Sequence, residues 1–524
     1  MDTVILQFDD DARPSRASAS GQGTAPSLEG VDHLGLAFFD VARARGAHPA
    51  IETEKAAFTY DWLLRAAESV RRYLCSREDF APGARVALKL ANSPEYVAAF
   101  YGTLLADGVV VPLPVALEPA RLQQVEDACR PDILIVPKNL ADNTSDVVTL
   151  IADAADSIAR PVVQRSHDDL AMLLFTSGST GLPKGVMLSH GNLLANARAI
   201  LHELPITPDE RALVLLPFCH AFGNSILQTH ILAGATMVFA GALMFPATIP
   251  QAIAKFSATS FSAVPEVYGM LLKYGGLGDQ KMPSLRYMSV AGGGLRHDLS
   301  LRMAELIKPA EFYVMYGQSE ASARLAVLPP AELKAREGSI GRALDGVALA
   351  VMDDAGAALP PGEAGMLCAR GPNVMLGYWQ DSAATDDVLG ADGWLRTGDL
   401  ARRDADGYFY IEGRANLLVK VQGYRVHPTE VESVVEAAFP GVRAVAVPVP
   451  HAGDTRFALF VAPQGATVDS ASVRVTCQKA LPPYKVPLHI AIVEELPLTS
   501  GYKVDRSALS ERAAAALGQP SSSE

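Results

Sequence analysis

Residues 173–190 read LLFTSGSTGLPKGVMLSH. The apolar run Leu173 to Phe175 predicts a buried strand, and Thr176, Ser177, Gly178, Ser179, Thr180 and Gly181 predict a loop with several free backbone N–H groups. Such a loop suits an anion. Glycines let the backbone approach a phosphate closely, successive N–H groups form a concave nest, and Lys184 adds a positive charge at the rim. The common nucleotide loop is built differently: its second Gly is followed by Lys and at once by Ser or Thr, whose hydroxyl binds magnesium. Here Pro183 precedes Lys184 and Gly185 follows it, so that loop does not fit. On this stretch alone a phosphate cradle and an unliganded polar strand-to-helix loop both remain open.

At 524 residues and 49% hydrophobic, the chain exceeds what a single core holds, which is rarely more than about 250–300 residues, so at least two domains are expected. Lys+Arg 45 against Asp+Glu 58 gives a net charge of −13, without the basic runs that track a nucleic-acid backbone. Nucleic acid is therefore excluded as an expected partner, and polyphosphate must be held by local loops and a metal ion. Cys75, Cys129, Cys219, Cys368 and Cys477 are scattered without CxxC spacing, which favours a reducing cytoplasm over a disulfide framework or zinc site. The opening MDTVILQFDD is acidic where a secretory signal is basic. No charged residue occurs from Ile231 to Ala254, a length that could span a bilayer. Gly234, Gly241, Pro246 and Pro250 divide it, however, into a short buried strand at 235–240 and a helix starting near Pro250, so no membrane span is expected.

Residues 1–30 are rich in Ser, Ala, Gly and Pro after the first ten and are expected to be disordered. From 31 to 413 helical stretches (TYDWLLRAAESVRRYL, SPEYVAAFYGTLLADG) alternate with short apolar strands (RVALKL, VVVPL, DILIVP, ALVLLP), the pattern of a large N-terminal α/β domain with doubly wound sheets. After it the units are smaller: a helix from Pro428 to Phe439, strands VRAVAVPV and RFALFVA, and a helix near 470–480. They predict a separate, smaller C-terminal α+β domain at 417–524, joined through 414–416.

Four further stretches stand in order with the first: MYGQSEAS (315–322), GWLRTGDLARRDADGYFYIEGR (393–414), LLVKVQGYRVHPTEVE (417–432) and LPLTSGYKVDR (496–506). Together the motifs resemble the adenylate-forming superfamily of acyl-CoA synthetases, aryl-CoA ligases, beetle luciferases and peptide-synthetase adenylation domains, over roughly residues 31–510. The resemblance implies that the glycine-rich loop holds ATP. It implies an AMP-forming acid–thiol ligase that joins a carboxylate to the α-phosphate, expels pyrophosphate, and passes the acyl group to the thiol of CoA or of a phosphopantetheine carrier. It also implies a C-terminal domain that moves about a hinge at 414–416.

Residue by residue, the resemblance assigns Thr176, Ser177, Gly178, Ser179, Thr180, Gly181 and Lys184 to the β- and γ-phosphates. Glu320 is assigned to Mg²⁺, a hard ion that prefers oxygen ligands. Ser319 stands where relatives usually have Thr and keeps the hydroxyl for the α-phosphate; Gly317 belongs to the same nucleotide motif. Tyr316 is expected to stack on adenine, with Gly292, Gly293 and Gly294 passing close to the base. Asp399 suits both ribose hydroxyls, since a carboxylate accepts through two oxygens, and Arg414 is placed on the ribose at the domain boundary. Taken alone, Asp399 reads as a turn residue and Arg414 as a solvated side chain. Lys503 matches the lysine that reaches the carboxylate and α-phosphate, although Tyr502 replaces the usual preceding Gly. Asn416 replaces the usual hinge Asp or Lys. Lys420 and Gly423 are expected to serve thioester formation, Gly423 beside the pantetheine tunnel. His220, Val264, Ala291 and Met315 are expected to line the acid pocket, whose apolar character favours an aliphatic or aromatic acid. Two alternatives remain: a ligase that loads only an acyl carrier protein, and an inactive adenylate-binding scaffold.

Overall fold

The helices Tyr60–Ser76 and Pro94–Leu105 begin where their caps dictate. Thr59 accepts from Trp62 N, Ser93 accepts from Tyr96 N, and Pro94 fills the first turn. The two helices meet at Gly102, where an added Cβ would lie 2.6 Å from both the Ala67 carbonyl oxygen and Val70 Cβ. The structure, a computed structural model, describes residues 2–8, 27–117, 119–138, 146–150, 158–177, 183–241, 245–278, 280–417, 419–421, 424–451, 454–463, 467–498 and 504–517. Contacts divide the chain into two compact units: Met1–Pro265 with Gly275–Leu349 and Ala369–Leu395, and Glu266–Tyr274 with Ala350–Cys368 and Arg396–Glu524.

The first unit carries two sheets. In one, the strands run in the order Gly377–Tyr378, Pro183–Ser189, Leu170–Ser177, Val109–Pro112, Arg85–Leu88, Ile133–Val136, Asp2–Phe8 and Asp146–Leu150. Val109–Pro112 and Ile133–Val136 are buried at every residue, as parallel strands covered on both faces must be. Asp2–Phe8 corrects the expectation of disorder for 1–30. Its residues TVILQF pair in parallel with both Ile133–Val136 and Asp146–Leu150, because an apolar run in this sheet gains a ladder on each side. Residues 9–26 lie outside the described residues.

The second sheet places Pro49–Thr53, Thr236–Phe239, Arg211–Leu213, Ser260–Ala263, Tyr287–Val290 and Glu311–Tyr316 side by side in parallel. The charge-free segment after Ile231 is core: it supplies the strand Thr236–Phe239 and then the helix Thr248–Phe256, which starts just before Pro250. Among the described residues no helix is long and apolar enough to cross a membrane.

In the second unit, residues Asp399 to Arg403 of the strand Leu395–Arg403 pair antiparallel with Phe409–Arg414. Farther along, Val442–His451 pairs antiparallel with Asp454–Pro463, and His489–Ile492 adds in parallel. Alternation along these strands sends Val442, Ala444 and Ala446 to one core, with Val431 and Val435 of the helix Pro428–Ala438 and Val473 and Cys477 of the helix Ser470–Ala480. Val445, Val447 and Val449 go to the other core, with Leu509 and Ala513 of the helix Arg506–Ala516. The fold is thus α/β, with a large unit of sheets and a smaller α+β portion after it.

Gly102→Ala should lower stability by about 1–3 kcal/mol, because the Ala67 carbonyl is backbone and yields little to the new methyl group. Urea unfolding followed by circular dichroism should show a lower midpoint at an unchanged slope.

Candidate active site

Leu170–Ser177 and Pro183–Ser189 are the two arms of a hairpin, with Thr176 opposite Lys184 and Ser177 opposite Pro183. This corrects the reading of a loop that starts at Thr176. The strand continues through Ser177, and a second strand precedes the helix His190–Glu203, which is capped by Ser189. The cause is the run VMLS after Lys184, whose Val186 and Leu188 are buried and extend the ladder. Gly178, Ser179, Thr180 and Gly181 lie outside the described residues.

The hairpin meets the second motif through residues that sequence reading passed over. Gly377–Tyr378 pairs antiparallel with Val186 and Met187, and Trp379 N donates to Gly185 O at 2.7 Å. The Lys184 ammonium lies 4.8 Å from the centre of the Tyr378 ring. Tyr378 Oη donates to Glu320 Oε1 at 2.8 Å, and Met375 N donates to Glu320 O at 2.9 Å. Burial and, after it, the Glu320 charge raise the Tyr378 phenol above its ordinary range, so it stays a donor at neutral pH. Lys184 and Glu320 are therefore joined by one aromatic side chain.

Glu320 sits in the short 3-10 turn Ser319–Ala321 that follows the strand Glu311–Tyr316. Half-buried Tyr316 ends that strand, and its carbonyl accepts from Leu325 N at 2.8 Å. A Cβ at Gly317 would lie 1.7 Å from Ala323 O, so the packing of this turn requires glycine there whatever it binds. Val264, Ala291 and Met315 fall in one row. The strands are in register at Ala263, Val290 and Val314, and each expected pocket residue follows directly at the carboxyl end of the parallel run, where open α/β sheets place ligands. His220 is the N-cap residue of the helix Ala221–Leu232, whose Phe222 packs against the cluster that holds Ala291 and Met315. Of the three glycines, Gly292 has φ +86°, Gly293 is in ordinary contact with Pro265, and Gly294 faces open space.

In the second unit Asp399 and Arg414 face each other across the antiparallel pair, with Arg414 Nε 2.7 Å from Asp399 Oδ1. Asp399 is buried within a strand rather than set in a turn, and Arg414, half exposed, is paired with its carboxylate. The Arg414 backbone is gripped by His427, whose Nε2 accepts from Arg414 N at 2.7 Å; a Cβ at Gly413 would meet that ring at 2.5 Å. Lys420 is exposed on the strand Val419–Val421. Gly423, Tyr502 and Lys503 lie outside the described residues, as does the side chain of Asn416.

The AMP-binding enzyme family matches residues 38–379, and the AMP-binding enzyme C-terminal domain matches residues 430–503. The chain belongs to the AMP-binding enzymes. It is 32% identical to feruloyl-CoA synthase of Amycolatopsis over 90% of this chain and 97% of that protein. It is 28% identical to the long-chain-fatty-acid–CoA ligase of Salmonella typhimurium, over 91% and 94%. The crystal structure of ATP-bound MatB from Rhodopseudomonas palustris superposes with a TM-score of 0.81 at 30% identity, covering 91% of this chain and 98% of that one.

This AMP-binding enzyme therefore assembles Thr176, Lys184 and Glu320 in one unit and Asp399 with Arg414 in the other. Tyr378 and His427 were not legible as site residues. The tripeptide GYW carries no chemical signal, and His427 in RVHPTE reads only as the residue before a helix-starting proline. His427→Ala should loosen the Arg414 peptide. One net hydrogen bond is worth about 1 kcal/mol, so amide exchange at Arg414 should quicken roughly fivefold to tenfold while the strand Val442–His451 keeps its protection.

Proposed function

We propose that this ligase activates a small-molecule carboxylic acid with ATP at the Lys184–Tyr378–Glu320 cluster, and that CoA is the thiol that takes the acyl group. The reaction has two halves. A carboxylate oxygen attacks the α-phosphorus, the bond to pyrophosphate breaks, and acyl-adenylate forms; the thiol sulfur then attacks the acyl carbon and AMP leaves with the bonding pair. The observation that carries the site reading is the chain Lys184, Tyr378, Glu320, which holds a cation and a carboxylate at a fixed separation beside the hairpin. Attack of one anion on another builds charge at phosphorus, and catalysis rests on cations and donors fixed in advance.

Thr176, Ser177 and Lys184, with Gly178, Ser179, Thr180 and Gly181, bind the β- and γ-phosphates in this reading, and Ser319 reaches the α-phosphate. Glu320 is half-buried and has Oε1 engaged by Tyr378, so it offers a single carboxylate. That fits Mg²⁺, which takes one or two carboxylates and draws its other ligands from phosphate and water. A bound ion would neutralise phosphate charge, with Glu320 as its carboxylate ligand, which Tyr378 holds through Oε1. Tyr316 with Gly317 and Gly292 to Gly294 accommodates adenine, and Asp399 with Arg414 the ribose. Lys503 serves adenylation, and Lys420 with Gly423 serves thioester formation, across the boundary at 414–416. The apolar body of the acid lies along Val264, Ala291 and Met315 near His220. CoA is preferred to a phosphopantetheine carrier protein because the relatives named above are CoA synthetases and ligases.

Two measurements test these assignments. Asp399→Ala should weaken ATP binding about tenfold, since a charge-assisted hydrogen bond is worth roughly 1.5–3 kcal/mol; unchanged affinity by calorimetry would remove Asp399 from the ribose. Lys503→Ala should abolish pyrophosphate release while sparing thioester formation from preformed acyl-adenylate, and Gly423→Leu should do the reverse. Equal losses in both half-reactions would refute the division of labour, and a rate with carrier protein above that with CoA would change the acceptor.

A further inference from the structure

Arg324 is 2% exposed, yet its guanidinium makes no hydrogen bond or ion pair among the described residues, and Nε and Nη1 are buried without a partner. Its guanidinium lies over the Phe222 ring, whose centre is 5.1 Å from Cζ, and within electrostatic reach of Tyr287. Burial lowers its pKa to about 10, so it remains a cation at neutral pH, with no carboxylate set against it among the described residues. A buried, unpaired charge is costly, and buried charges are ordinarily paired, so a counter-charge from a ligand would offset the cost.

The position of Arg324 indicates which ligand. It precedes the strand Ala326–Leu328, which pairs with the last residues of Glu311–Tyr316, so it stands at the carboxyl end of the parallel run that carries the Val264, Ala291 and Met315 row. Ala291 and Met315 share one apolar cluster with Tyr287, and Phe222, the ring beneath the guanidinium, packs against that same cluster. His230, on the helix that bears Phe222, lies within electrostatic reach of Arg324 and also has Nε2 buried without a partner. Burial holds its pKa near 4, so it adds no second positive charge at neutral pH.

We propose that the acid this enzyme activates carries a second anionic group, a carboxylate or sulfonate at the end remote from the reacting carboxylate, and that Arg324 binds it. The inference rests on the ligase reading given above and narrows it. The acid is apolar along its body and charged at both ends. A guanidinium holds carboxylate or sulfonate oxygens through paired N–H donors, and inside an apolar wall such a pair discriminates strongly against an acid that leaves the cation unmatched.

The test uses the full-length enzyme and pyrophosphate release with matched acids: straight-chain monocarboxylates, the dicarboxylates of equal length, the corresponding ω-sulfonates, and benzoate beside its para-carboxylate. Wild-type enzyme should favour the doubly anionic member of at least one pair by about tenfold or more in kcat/KM. The carboxylate and sulfonate series identify which anion is preferred. In Arg324→Met, of similar length and uncharged, that preference should vanish while ATP affinity by calorimetry is unchanged; Arg324→Lys should retain part of it. Preference for the singly charged acids in wild-type enzyme, or a ratio unmoved by Arg324→Met, overturns the proposal. Should both variants fail to fold, the wild-type ratio alone decides it. Silence with every acid despite ATP binding would instead overturn the ligase reading itself, a different result from activity confined to monocarboxylates.

Discussion

The short segment Met375–Trp379 is the constraint on which the candidate site depends. Its backbone bonds outward in two directions: Leu376 N and Trp379 N donate to Met187 O and Gly185 O on the hairpin, and Met375 N donates to Glu320 O on the turn. Tyr378 then repeats the link with its side chain, ring under Lys184 and hydroxyl on Glu320. A lysine and a glutamate far apart in sequence are thus held by backbone hydrogen bonds as well as by their own charges. Gly377 belongs to this arrangement, since its φ of +140° and the approach of Thr385 to within 2.9 Å of a hypothetical Cβ leave little room for another residue.

A clamp of this kind suits chemistry in which little covalent work is asked of the protein. Electrostatic stabilisation is effective when donors and charges are positioned before the reaction rather than gathered during it. The second unit follows the same logic at Asp399. The antiparallel register sets Arg414 opposite the carboxylate, and His427 fixes the Arg414 peptide in turn. Lys184, Glu320 and Asp399 are each met by a neighbour that is itself anchored by backbone.

How much of this was legible in the sequence depended on whether the signal was local. The stretches TYDWLLRAAESVRRYL and SPEYVAAFYGTLLADG announced their helices, and VRAVAVPV and RFALFVA announced the strands Val442–His451 and Asp454–Pro463, because periodic apolar runs act over a few residues. The order of five motifs identified the family. What remained hidden was tertiary. The hairpin register that sets Thr176 against Lys184 extends the ladder through residues whose composition alone suggests a loop. Tyr378 gains its role only from the strand edge it joins. Asp2–Phe8 was misread because the low-complexity stretch after it dominated the reading of the whole N-terminal segment. Arg324, in ASARLAV, carries no sequence signal that sets it apart from a surface arginine; only its burial does.

The turn between Tyr316 and Ala326 carries both Glu320 and Arg324. Ser322 and Ala323 adopt φ values of +57° and +107°, which side chains other than glycine rarely accept and which cost on the order of 1–3 kcal/mol each. The turn is sustained from several sides: Gly317 lets Ala323 O come close, Gln318 O accepts from Ala321 N and Ala323 N, and Ser322 Oγ donates to Asn373 O at 2.8 Å. Asn373 returns bonds to Ala321 O and Arg324 O, and Asn196 adds another to Arg324 O at 2.7 Å. Glu320 leaves this turn on one side and Arg324 at its end, so a single strained and heavily bonded loop fixes both the carboxylate assigned to the metal and the buried cation. Relaxing the turn to spare its strain would displace both together. In the proposed reading, the same hydrogen-bonded backbone thus positions both the metal-binding carboxylate and the cation that selects the acid.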